Sequence, residues 1–266
     1  MISYAKYAML LLAFCSFSLK TSNDPFCGIK NTAFQEGEVV VMRIFYSALG
    51  AYIGAGEATF TTTIERLNGR PVYHCVGDGK TYPVFDKFYK VRDRYESYID
   101  TGNLLPLKFI RNIEEGTYKK YNNVTFNQAA GTAVSTTGVF KVPNCIQDVV
   151  SCVYYARNIN FDKYKVNDKI PFDMFLDDEV FHMYIRYLGK EKIKTRYGKF
   201  NAIKIRPLLL KGNIFEGGEK MTAWIGDDPN HLLLRIESPI SVGSVKVDMM
   251  GYRNLRYPLT SLIKVR

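Results

Sequence analysis

Apolar and polar residues alternate along most of this chain, in the period-two pattern of half-buried β-strands. The segments Glu38–Ser47 and Ala55–Arg66 both follow this pattern. Asn68-Gly69 is a hairpin turn signal, and Pro71–Gly77 is its returning strand. Turn residues separate further strands at intervals of about ten residues, up to Val242–Tyr252. This spacing predicts a mainly β protein, arranged as a barrel or a sandwich.

One segment, Asn144–Arg157, has the spacing of a helix instead. Asn144 is suited to cap its first turn, Gln147 lies three residues later to bond back, and Pro143 prevents an earlier start. The apolar face at helical spacing is Ile146, Val149, Val150, Val153 and Tyr154. Since β pattern lies on both sides of it, we predict a large curved antiparallel sheet, or open half-barrel, with this one short helix packed on it.

The first residues resemble a signal peptide. Lys6 supplies a positive charge, and the apolar run Tyr7–Phe17 is too short to span a bilayer as a helix. Cys15 offers a lipoprotein alternative, but Phe14 occupies a position where a lipobox has a small residue. We therefore expect export to the periplasm, with an outer-membrane lipoprotein as the less favoured location. No later stretch is a transmembrane candidate.

The chain is then divided into residues 1–18 as signal peptide, 19–35 as an N-terminal lead-in and 36–266 as a single β-rich domain. The domain carries an excess of basic residues, because 36 lysines and arginines face 26 acidic residues in the whole sequence. These cations are scattered, which gives no nucleic-acid signal but suits contact with anionic surfaces such as phosphate-bearing lipids.

Four cysteines remain after the expected cleavage: Cys27, Cys75, Cys145 and Cys152. An exported chain permits disulfides, and four cysteines allow three pairings. Cys145 and Cys152 would be separated by a rise of about 10.5 Å on a helix, beyond the roughly 7 Å reach of a disulfide. Cys27 could tie down the N-terminal arm, and free buried thiols throughout are the alternative.

Catalytic and metal-binding patterns are missing from the sequence. His74, His182 and His231 are far apart and lack a second ligand at metal spacing. Ser151 lies in mid-helix and outside a G-x-S-x-G motif. We therefore expect a protein that is not an enzyme and has no cofactor or metal.

Acidic residues are close together in one segment, Asp78–Asp100, and a carboxylate pair could hydrolyse glycans. Lysines and arginines interleave them, so we favour mutual ion pairing over catalysis. Asp148 and Arg157 in the predicted helix are interpreted in the same way, as a structural pair holding the helix to the sheet.

Aromatic residues are abundant, with 19 Tyr and 17 Phe. A broad sheet with one helix would leave an apolar groove, and such grooves hold ligands. The predicted ligand-binding residues are Phe85, Phe88, Tyr95, Tyr98, Tyr154 and Tyr155. Ordinary core filling is the alternative.

The chain resembles an uncharacterised exported family of Gram-negative envelopes. The resemblance rests on G-K-T-Y at Gly79–Tyr82, on Phe88–Asp100, on L-L-P-L at Leu104–Leu107, and on D-x-x-S-x-x-Y-Y-x-R at Asp148–Arg157. It is also carried by Trp224-Ile225 near Asp227-Asp228-Pro229. The family is similar in architecture to periplasmic lipoprotein carriers, which hold acyl chains in an open β half-barrel.

These observations together favour a periplasmic, non-enzymatic protein that binds a lipid or acyl chain in the concave face of its sheet. The first alternative is a structural protein that binds other envelope proteins through a sheet edge. The second is a glycan-acting enzyme.

Overall fold

The computed structural model describes residues 26–47, 51–210, 217–240 and 243–266. Within these ranges fifteen strands form one antiparallel sheet, which confirms the predicted fold class. The strands are β1 (Val39–Ser47), β2 (Ile53–Leu67), β3 (Arg70–Thr81), β4 (Val91–Asp100), β5 (Pro106–Glu115), β6 (Tyr118–Asn127), β7 (Thr132–Val134), β8 (Val139–Lys141), β9 (Lys169–Leu176), β10 (Glu179–Lys194), β11 (Gly198–Pro207), β12 (Thr222–Gly226), β13 (Leu233–Pro239), β14 (Ser244–Arg253) and β15 (Leu262–Val265). The helices are α1 (Pro83–Asp86), α2 (Val149–Ala156) and a 3-10 helix, Phe161–Lys163.

The strand order follows from hairpin connections. It runs from β8 back to β1, then from β14 back to β9, and β15 pairs with β11. The β2–β3 turn is the predicted one: Asn68 and Gly69 have φ values of 51° and 81°, as a type I′ turn requires. Because β8 and β9 lie at opposite ends of the sheet, the chain between them must cross its face. That crossing segment contains α2.

Helix α2 begins later than predicted. Its N-cap is Asp148, whose Oδ1 accepts the N–H groups of Val150 and Ser151 at 2.8 Å each, while the Ser151 hydroxyl accepts the Asp148 N–H at 2.8 Å. The prediction that Asn144 caps the helix was wrong. Gln147 pairs with β9 as a short parallel bridge, and Cys145 has a φ of 61°, so neither continues a helix.

The sheet remains open, but side chains bridge its two ends. The turn after β9 lies beside β5–β7: Asp177 contacts Arg111, and Lys120 Nζ lies 3.2 Å from the same carboxylate. Thr137 donates to Asp178 at 2.7 Å. The strands therefore curl into a barrel-like shell with a seam closed by polar contacts.

The interior of this shell is filled by α2 and the lead-in. Phe26 stacks between Tyr155 and Phe172, at centroid distances of 4.8 and 4.6 Å. A disulfide joins Cys27 to Cys145, which confirms that Cys27 ties down the N-terminal arm. Cys75 and Cys152 are free. The lead-in is therefore part of the core.

A second apolar cluster shares strand β11 with the first. Phe200 and Ala202 pack into the smaller cluster, and Ile203 and Ile205 into the larger one. Strand β11 thus has buried residues on both faces, which explains why the adjacent Ala202 and Ile203 are both apolar. Within the described ranges, no helix is long and apolar enough to cross a bilayer. The expected signal peptide, 1–18, and Cys15 lie outside the described residues.

Candidate ligand-binding site

The two tyrosines of α2 belong to the core. Tyr154 is 4% exposed and accepts a hydrogen bond from the Thr62 hydroxyl at 3.1 Å. Tyr155 is fully buried, and its hydroxyl accepts the Ile29 N–H at 3.2 Å. Both rings therefore occupy the space where an open groove was expected.

The two tyrosines of β4 point to opposite faces, because they are three positions apart on a strand. Tyr95 is half-buried against the larger cluster, where burial raises its pKa to about 12. Tyr98 stacks on His74 at 4.2 Å with nearly parallel rings. These residues share a strand but not a site.

Phe85 and Phe88 lie around α1, with ring centroids 6.3 Å apart. Phe88 is 81% exposed, and Phe85 also meets Tyr46 at 6.1 Å. The six predicted residues thus occupy three places: the core, the face of β4 that bears Tyr98, and this exposed tip. The structure does not bring them around one cavity.

Asp148 and Arg157 hold α2 to the sheet through separate partners. Ser97 in β4 donates to Asp148 at 2.6 Å, and burial of the carboxyl group raises its pKa to about 6. The Arg157 guanidinium makes two bonds to Glu38, at 2.5 and 2.9 Å, and a third to the Asn230 carbonyl at 3.0 Å. The motif that contains these residues is explained by capping, core packing and ion pairing.

Most acidic residues of Asp78–Asp100 form ion pairs with neighbouring arginines, as the sequence predicted. Asp86 lies 2.6 Å from Arg92, and Arg94 contacts both Asp78 and Glu96. Asp93 differs, since burial and then the nearby Glu115 charge raise its pKa to about 7. No cluster of three or more potential metal ligands occurs in the described part of the chain.

A different cavity lies where hairpins β2–β3, β4–β5 and β6–β7 approach the disulfide. It has a volume of about 880 Å³, and we call it the end cleft. Its apolar lining comes from Leu67, Leu105, Leu107, Phe126 and the disulfide. Its polar lining is Asn68, Arg70, Asp100, Asn103, Thr125, Asn127, Gln128 and Asn144, and Ala129 completes it.

Many polar groups of the end cleft already have structural partners. Asn103 accepts the Leu105 N–H at 3.0 Å, and Asn127 accepts the Ala130 N–H at 3.0 Å. Gln128 differs: its Nε2 donates to two carbonyl groups, but its buried Oε1 has no hydrogen-bond partner among the described residues. Because that oxygen is buried, it is an unsatisfied internal group and not a contact offered to a ligand.

The end cleft was not predicted from the sequence. None of its lining residues was expected to bind a ligand, because they come from strand ends and turns and not from the aromatic segment. The available signal was Leu104–Leu107, where four apolar residues directly follow a turn and break the strand alternation. Leu104 and Leu105 are buried, while Leu107 remains partly open toward the cleft.

Comparisons with known proteins identify the fold but no activity. Residues 42–250 match the family model described as a protein of unknown function (DUF3108). No curated protein matches the chain. A crystal structure of a β-barrel-like protein of the domain of unknown function DUF1849, from Brucella abortus, superposes with a TM-score of 0.55 at 8% identity. The match covers 84% of this chain and 99% of that chain, and it shows the fold alone.

Two further crystal structures are more distant. A candidate lipoprotein from Parabacteroides distasonis has a TM-score of 0.35 and 13% identity, covering 84% of this chain and 100% of that chain. A candidate exported protein with a YmcC-like fold, from Bacteroides fragilis, has a TM-score of 0.35 and 10% identity, covering 85% and 99%.

Proposed function

The chain belongs to the DUF3108 family of proteins of unknown function, and we propose that it is a periplasmic envelope protein that binds an apolar, lipid-like ligand. The observation that carries the proposal is the end cleft. Its 880 Å³ lies within the range of about 300–1,000 Å³ that is usual for small-molecule sites. The proposed ligand is placed there because α2 and the lead-in occupy the concave face.

The lining suits an acyl chain with a polar head. Leu67, Leu107 and Phe126 would cover the chain and remove it from water, at about 0.8 kcal/mol per buried CH₂ group. Arg70 would meet a negative charge of the head, and Asn68 and Asn144 line the same cleft with polar side chains. The ligand is therefore predicted to be amphipathic.

Two observations support export. Residues 1–18 have the pattern expected of a signal peptide, and the Cys27–Cys145 disulfide is typical of an oxidising compartment. The basic excess of the chain also suits an envelope of anionic lipids.

The test is native mass spectrometry of the purified protein, followed by titration of delipidated protein with cis-parinaric acid, a fluorescent fatty acid. We expect retained lipid and a saturable fluorescence increase. Leu107→Glu places a charge in the cleft and should lower the affinity for cis-parinaric acid at least tenfold, which is about 1.4 kcal/mol. Ile64→Glu, at a 43% exposed position on β2 outside the cleft, is the matched control and should change affinity less than twofold.

Absence of any retained or bound lipid would refute the proposal. Equal weakening by Leu107→Glu and Ile64→Glu would also refute it, because the cleft would then have no special role. Unfolding curves of both variants check that the fold is intact.

A second candidate is protein binding through a sheet edge. Strand β8 ends the sheet, and its Val139 is 69% exposed. Edge strands with unpaired backbone groups can accept a strand from another protein. Under this hypothesis Val139→Pro abolishes cross-linking to an envelope protein and leaves parinaric acid binding unchanged. Glycan hydrolysis in the end cleft is not proposed, since that reaction needs two carboxyl groups and Asp100 is the one carboxylate among the described residues lining this cleft.

A further inference from the structure

A second cavity, of about 330 Å³, is lined mainly by cations. It lies where the ends of β1 and β14 meet β13 and the turn between β10 and β11, and we call it the basic pocket. Its lining consists of Phe45, Tyr52, Lys194, Thr195, Arg196, Arg235, Lys246, Asp248 and Arg266. None of these residues lines the end cleft. The two cavities are therefore separate sites.

The charges of the basic pocket are unbalanced. Its one lining carboxylate, Asp248, is fully buried and is already bound by Arg235 at 2.6 and 2.8 Å and by the Arg196 N–H at 3.0 Å. Lys246 is paired with Glu237 at 2.9 Å. Lys194 and the Arg196 guanidinium make no ion pair among the described residues.

Aromatic rings hold two of the cations in place. The Arg196 guanidinium lies over the Phe45 ring at 4.6 Å, and Lys246 Nζ lies over the Tyr52 ring at 4.4 Å. Tyr52 is itself fixed by a 3.1 Å hydrogen bond between its hydroxyl and Ser244. A guanidinium held over the face of a ring can keep its N–H donors, which lie in the guanidinium plane, free for other acceptors. The cost of ordering these side chains for a ligand is thereby reduced.

We propose that the basic pocket binds a phosphate group. Arg196 would bind two of its oxygens through the planar fork of the guanidinium, and Lys194 and Lys246 would supply charge from the sides. A phosphate group compensates the excess positive charge that the buried Asp248 leaves unbalanced. The group could belong to a phospholipid head or to a soluble phosphate ester, because the recognised chemistry is the same.

The test is calorimetric titration of the full chain with inorganic phosphate at constant ionic strength. We expect saturable binding and about a tenfold loss of affinity in Arg196→Gln, because a charge-assisted bidentate contact is removed. Arg196 is exposed, so this variant should fold. Arg253→Gln makes the same charge change at an exposed position outside the pocket and is the matched control. Leu107→Glu, in the end cleft, should bind phosphate as the unaltered protein does.

A second arm distinguishes the sources of the phosphate. Vesicles of phosphatidylcholine are compared with the same vesicles containing phosphatidic acid, by co-sedimentation. Binding to the acidic vesicles that Arg196→Gln loses and Arg253→Gln keeps identifies a lipid head. Binding of inorganic phosphate alone, with the same dependence on Arg196, identifies a soluble ester. Equal losses in both variants, or no binding in either arm, would overturn the proposal.

Discussion

The buried ion pair between Arg157 and Glu38 should dominate the attachment of α2 to the sheet. The side chains are 8% and 1% exposed, so neither charge can be solvated if its partner is removed. Breaking a buried pair typically costs about 3–5 kcal/mol. Glu38→Gln leaves the guanidinium with carbonyl partners at Asn230 and Ala33. We therefore expect this variant to lose about 3 kcal/mol of unfolding free energy, the lower end of that range.

Arg157→Met leaves a buried carboxylate without a cation, but protonation limits the penalty. Protonating a carboxyl group with an ordinary pKa near 4.3 costs about 3.7 kcal/mol at pH 7, at 1.36 kcal/mol for each pH unit. We therefore expect a loss of about 3–4 kcal/mol at pH 7 that shrinks as the pH falls toward 4.5. The double variant, Glu38→Gln with Arg157→Met, should lose about 2–3 kcal/mol less than the sum of the single variants.

The assay is urea unfolding followed by fluorescence of Trp224, the single tryptophan, which is 8% exposed. Glu57→Gln is the control, because the Lys80–Glu57 pair has a similar 3.1 Å distance but is exposed, and exposed pairs contribute at most about 1 kcal/mol. Additive single losses, or losses no larger than that of the control, would refute the reasoning. So would a deficit in Arg157→Met that does not depend on pH.

Two further effects are expected for the unliganded protein. Replacing Cys27 and Cys145 by Ser opens a loop of 118 residues and should lower the free energy of unfolding by up to about 4–5 kcal/mol, measured by urea unfolding; no change would show that the disulfide is not stabilising. Asp93→Asn should stabilise the protein at pH 8 by on the order of 1 kcal/mol, discounted for partial exposure, and give no gain near pH 4. The reason is that the pKa of Asp93 is raised in the folded state, so the stability of the unaltered protein falls as the pH rises toward 7. A difference in Tm between the variant and the unaltered protein that does not depend on pH would contradict this.

The parts of the fold that depend on local sequence could be predicted. Asn68-Gly69 adopts its turn because few residues tolerate positive φ. The helix itself was predicted from its apolar spacing, but part of its predicted face was wrong: Val153 is 45% exposed, and Tyr155 is buried instead. The start of α2 could not be predicted, since Gln147 pairs with Met174, a residue distant in sequence. Local capping signals at Asn144 carry no information about that contact.

The candidate site could not be predicted for a related reason. The expected hollow followed from counting helices, but Phe26 and Phe34 of the lead-in are fully buried and fill much of the sheet's concave face. The lead-in therefore supplies core residues that a count of helices does not include. The end cleft arises from where three hairpins and the disulfide meet, which is a property of the assembled sheet.

The burial of Cys75 also protects the Cys27–Cys145 disulfide from thiol exchange. Pairing of β2 with β3 and docking of α2 place Cys75 beside Thr62 and Tyr154, where burial raises the pKa of its thiol and suppresses the reactive thiolate. In the folded protein Cys75 is therefore a poor nucleophile and does not compete for the disulfide between Cys27 and Cys145.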